Sequence, residues 1–65
     1  MAKIPWKEIV ERREQSLTDG EIERLRQAAG QAGDTKQVRI CDQALRGNRK
    51  ARLECASVIA DNELR

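Results

Sequence analysis

The sequence predicts an all-α protein: a compact bundle of three to four short helices, the last two forming an antiparallel helical hairpin. Three observations carry that expectation. Helix-start signatures recur along the 65 residues. Apolar residues follow them at steps of three and four, and Gly33 and Gly47 fall where helices should end. No segment alternates β-branched residues at period two, so no strand is expected. Without a linker, a repeat or a low-complexity tract, residues 1–65 form a single small helical domain.

The first element is a helix opened by Pro5, a residue suited to the first helical position. It presents Trp6, Ile9 and Val10 on one face and ends near Ser16. The second has the strongest start. Thr18 and Glu21 stand at capping-box spacing, each side chain reaching the other's backbone N–H, with Leu17 and Ile22 at the staple positions around them. Asp19 and Glu21 add negative charge where the helix dipole is positive. Ile22, Leu25, Ala29 and Ala32 form its apolar stripe, and Gly33 closes it. Asp34 begins the third helix, with Gln37 in the reciprocal capping position. Val38, Cys41 and Leu45 make one stripe, and Ile40 with Ala44 a second. Gly47 ends that helix and Asn48 caps the fourth. The last helix carries Ala51, Cys55, Val58 and Ile59 on one side and Leu53, Ala56, Ala60 and Leu64 on another.

An apolar surface wider than one stripe is more than a surface helix needs. Two explanations stand: the last helix lies centrally, covered by its neighbours, or its second face meets another subunit. The core is poor in bulk. Of 25 hydrophobic residues, eight are alanines and two are cysteines, and neither Phe nor Tyr is present. The remaining 15 run from Met1 and Ile4 to Ile59 and Leu64. One core in so short a chain supplies about 3–5 kcal/mol, and a second subunit is a common supplement. Although 37% of residues are charged, the net charge is only +2. With helical periodicity added, that favours folding over disorder.

The composition argues against catalysis. With no His and no Tyr, the commonest general acid–base is missing. Cys41 and Cys55 fall within apolar stripes, where free cysteines behave as small hydrophobes. A hairpin turning at Gly47 would put them at similar heights, so a redox pair is conceivable beside inert packing. Two cysteines without a histidine do not make a structural zinc site. The carboxylates are scattered among basic residues, as in Glu8 with Arg12, and neither a phosphate loop nor a dinucleotide fingerprint occurs. No catalytic residue, metal or cofactor is expected.

Two features suggest binding. The stretch Arg46-Gly47-Asn48-Arg49-Lys50-Ala51-Arg52 is basic without an acid. Cations in the first turn of a helix oppose its dipole, which makes Arg46, Arg49, Lys50 and Arg52 a candidate anion- or partner-binding site. The alternative is a solvated turn offset by Glu54. The second feature is Trp6, the lone aromatic residue, which either fills the small core or contacts a partner.

Nucleic-acid contact would add Lys36 and Arg39 to the basic turn. Helix-turn-helix proteins place an alanine, a glycine four residues on, and an apolar residue six further. Ala29 and Gly33 fit, but the third position is Arg39, with Val38 one place early. One residue turns a side chain by about 100°, so the pattern is not met. Net charges of +1, −1, +1 and +1 over residues 1–16, 17–33, 34–47 and 48–65 show no broad basic face. In size and charged helical texture the chain resembles accessory proteins of bacteriophages and plasmids, a likeness resting on no motif.

The expectation is therefore a non-enzymatic interaction module that docks on another protein and self-associates, an accessory or inhibitor protein. Trp6, Leu53, Ala56 and Ala60 are its candidate interface, and a homodimer is a candidate state. The alternative is a small nucleic-acid-binding accessory or regulatory protein using residues 46–52. No membrane span is expected. Lys3-Ile4-Pro5-Trp6 followed by charge forms no signal-peptide core, so a cytoplasmic location with reduced cysteines is expected.

Overall fold

The computed structural model describes residues 3–65, so Met1 lies outside the described residues. Among these are four helices and no strand: α1 (Trp6–Gln15), α2 (Asp19–Gln31), α3 (Thr35–Leu45) and α4 (Arg49–Glu63). No helix is long and apolar enough to cross a membrane.

Local chemistry explains each boundary. Pro5 is the N-cap of α1 rather than its first helical residue, and its carbonyl accepts from the N–H of Glu8 and Ile9. The α2 capping box forms in full: the Glu21 N–H donates to Thr18 Oγ1 at 3.2 Å, and the Thr18 N–H to Glu21 Oε1 at 2.9 Å. The α3 box forms by half. The Gln37 N–H donates to Asp34 Oδ1, but the Asp34 N–H is engaged by the Ala29 carbonyl at 2.8 Å. The Gln37 amide instead approaches Cys41 Sγ.

The two tight turns share one construction. Gly33 and Gly47 take φ of 75° and 98°. Each turn closes with the paired bonds of a Schellman motif: Gly33 N–H to Gly30 and Asp34 N–H to Ala29, then Gly47 N–H to Ala44 and Asn48 N–H to Gln43. The residue that completes the motif is also the N-cap of the next helix, so each connection is as short as it can be. Asn48 Oδ1 then accepts from the Ala51 N–H.

α4 packs against all three other helices, whereas α1 packs against α4 alone. This accounts within the single chain for part of the broad apolar surface of α4. Its Cys55 side meets α3, and its Ala56 and Ala60 are 0% and 3% exposed within the single chain. Those two alanines are therefore corrected from the candidate interface to the interior.

The core is built from small residues. Among the described residues five alanines (29, 44, 51, 56 and 60) and both cysteines are buried, but of the large apolar residues only Leu17 and Ile22 join them. Val10, Leu25, Ile40, Leu45 and Ile59 pack around that centre, half-buried. Small side chains at the contact lines let helix axes approach toward the short end of the usual 8–10 Å range.

Candidate anion-binding face and the α1–α4 groove

Ion pairing sorts the cations into two groups. Arg13 is a junction: its guanidinium pairs with Glu21, donates to Glu63 Oε1 at 2.8 Å and to Ser16 Oγ at 2.9 Å. It thereby ties the end of α1 to the start of α2 and the end of α4. The Arg13 hydrogen bond, followed by that from the Thr18 N–H, holds the Glu21 carboxyl below its ordinary pKa. Arg26 bridges α2 to α3 through Asp42 at 2.6 Å, and Arg12 meets Glu8 as the i, i+4 spacing suggested.

Arg52 belongs with these structural cations, which corrects its place in the candidate binding site. Its guanidinium donates to the Leu17 carbonyl at 3.1 Å and lies 3.5 Å from Asp19 and 3.9 Å from Glu14. The side chain reaches back across the α1–α2 loop. Its charge is neutralised within the molecule.

The described cations in no ion pair are Lys3, Lys7 and Arg24, which stand apart in the sequence, and a tract of five, Lys36, Arg39, Arg46, Arg49 and Lys50, all exposed. Among the described residues none of the five has a carboxylate within ion-pair distance. At 100° per residue, Lys36, Arg39 and Arg46 fall within about 80° of one another on α3 and span about 15 Å of its length. Lys36, Arg39 and Gln43 border one shallow depression with Ile40 at its side. Beyond the turn at Gly47, Arg49 and Lys50 follow in the first turn of α4. Residues 36–50 hold five cations and one acid, Asp42, for a net +4; the rest of the chain is then −2. Asp42 is occupied by Arg26. Dividing the chain at helix boundaries cut this tract in two, which hid the concentration that its folded placement makes plain.

Trp6 does not fill the core. It is 44% exposed and stands with Val10 and Leu53 in a groove of about 370 Å³ between α1 and α4. Lys7, Glu11, Lys50 and Glu54 border that groove. Across the α4 ridge a second groove, of about 400 Å³, runs between α3 and α4 past Ile40 and Val58. Neither encloses a ligand-sized cavity with converging polar groups.

No protein-family model, no curated protein and no solved structure matches this chain. Its function must be argued from its own chemistry.

The hairpin does bring the two cysteines together: Cys55 Sγ lies 3.9 Å from Cys41 Sγ, and both residues are fully buried. Burial, reinforced by the neighbouring Cys41, pushes the Cys55 thiol up to about 12. A thiolate is the reactive form, so Cys55 sits in its least reactive state. No cluster of metal-ligating side chains occurs among the described residues.

Proposed function

We propose that this protein is a small non-enzymatic binding module, and that its ligand is a nucleic-acid backbone contacted by the basic face of α3 and the α3–α4 turn. The observation that carries the reading is the tract of five exposed, unpaired cations on a chain that is otherwise net negative. Protein interfaces enrich Arg as well as aromatic residues, but they centre on a patch core that is apolar and depleted of charge. The basic face offers nothing of that kind beyond the half-buried Ile40. A phosphodiester chain needs only positive charge at intervals along its path. Docking on a protein through the second face of α4 loses ground, because Ala56 and Ala60 are inside.

The reading predicts binding of mixed-sequence DNA or RNA with strong salt dependence. Five phosphate contacts on a duplex correspond to a slope of log K against log salt of about −4.5. Fluorescence anisotropy at about 50 and 200 mM salt measures it. Replacing Arg39, Arg46 or Arg49 with Gln should each weaken binding to all sequences alike and reduce the slope by about 0.9. Arg24→Gln, an exposed unpaired cation outside the tract, should leave both unchanged. An absence of binding at the lower salt, or equal losses for Arg24 and the tract, would sink the proposal.

A protein-docking reading is favoured by one separate feature, the Trp6 groove.

A further inference from the structure

The α1–α4 groove has two properties that together specify what covers it. Its floor is apolar and incompletely covered: Trp6 is 44% exposed, while Val10 and Leu53 are half-buried. α1 is the least covered of the helices, with no fully buried residue of its own. Amphipathic helices of small domains normally bury one face, so α1 stands half-finished in the single chain.

The charges on the rim are balanced and unpaired. Lys7 and Glu11 on α1, and Lys50 and Glu54 on α4, are each spaced i, i+4, and among the described residues none joins an ion pair. The order is the same on both helices: base first, acid one turn later. A surface of this kind is its own complement. A two-fold axis lying in the contact plane and crossing a helix reverses that helix's direction in the partner, so that a lysine on one copy can meet a glutamate on the other. A strongly basic or acidic partner would find no such match on a rim with no net charge.

We infer that the α1–α4 groove is the interface of a two-fold homodimer, with Trp6, Val10 and Leu53 at its centre and the four rim charges paired across it. The contact is isologous, the same patch meeting itself. The inference stands independently of nucleic-acid binding but adds to it. In the dimer Lys50 is taken up at the rim, while Lys36, Arg39, Arg46 and Arg49 lie outside the groove, so a dimer carries two sets of four cations and a larger phosphate footprint.

The test uses the full chain without nucleic acid. Sedimentation or light scattering across a wide concentration range should show mass rising from 7.4 kDa toward twice that value. Because Trp6 is the lone aromatic residue, its emission should shift to the blue over the same range. Trp6→Ala should lower the dimer fraction while retaining helical circular dichroism. Two rim variants decide the geometry. Lys7→Glu with Lys50→Glu makes the rim wholly acidic; Glu11→Lys with Glu54→Lys makes it wholly basic. Each alone should be a helical monomer, and an equimolar mixture should return to the mass of two chains. A rescue on mixing cannot arise from damage to the fold of either variant. Wild-type mass that stays at one chain up to the solubility limit overturns the inference. So does a dimer that persists in either rim variant, or a mixture of folded variants that stays monomeric. DNA binding is read on the wild type and on the Arg39, Arg46 and Arg49 variants, whose residues lie outside the groove, so the two proposals fail separately.

Discussion

α1 and the α2–α4 unit use the same helical alphabet and reach different ends. Each of α2, α3 and α4 is capped by a side chain, Thr18, Asp34 and Asn48 respectively, and each buries residues completely. α1 has no side-chain cap and buries none. Its apolar residues are not weaker in kind: Trp6, Ile9 and Val10 are larger than the alanines that fill the centre. They differ in what lies opposite. α4 meets three neighbours and α1 meets one, so amphipathic spacing tells which face seeks cover without telling how much it finds.

The sharpest way to break this contrast is to remove bulk on each side. Ile22 is fully buried at the staple of α2, and Ile22→Ala should cost about 2–5 kcal/mol. A loss of that size consumes most of the stability of a domain this small. Val10→Ala, on half-covered α1, should cost far less. Urea denaturation of both variants at low protein concentration measures the difference; equal losses would mean that α1 is as integral as the rest.

A middle-sized effect tests the turns. Gly47 has φ of 98°, and a Cβ there would meet nothing within 4 Å. Gly47→Ala should therefore destabilise through backbone strain alone, by about 1–2 kcal/mol. Gly30→Ala lies within α2, also with open space around it, and should stabilise by several tenths of a kcal/mol or more through helix propensity. Opposite signs at two uncrowded glycines would isolate φ as the cause, and matching signs would refute it.

The smallest effect concerns the tie between α1 and the rest. Arg13 and the Thr18 N–H depress the Glu21 pKa. A carboxyl with a lowered folded pKa contributes stability above its unfolded value, about 4.3, and that contribution is lost as pH falls through the folded value. The urea midpoint of the wild type should therefore decline on acidification more steeply than that of Arg13→Gln. Parallel pH profiles would show that the Arg13–Glu21 pair adds nothing to stability.

The capping residues made the helices legible in advance because their bonds span only three or four positions. Thr18 with Glu21 needed no knowledge of the fold, and Gly33 and Gly47 marked turns for a backbone reason. Other features depended on distant partners. Arg52 reads as one more base in a basic turn until the Leu17 carbonyl, 35 positions away, is seen to accept from it. Ala56 and Ala60 read as a spare face until the folded chain buries them. The tract from Lys36 to Lys50 was visible as composition, but its isolation from carboxylates is a matter of which acids the fold assigns elsewhere, Asp42 to Arg26 among them.

The sequence by itself determined the fold class, the helix boundaries to within a residue or two, and the poverty of the core in bulky side chains. These follow from capping, periodicity and composition, all local properties of the chain. Packing alone fixed that α4 is central, that Arg52 is structural, and that the cations of residues 36–50 and the Trp6 groove stand exposed. Burial and charge pairing depend on which surfaces meet, and in a four-helix protein that is settled by packing between segments far apart in the chain.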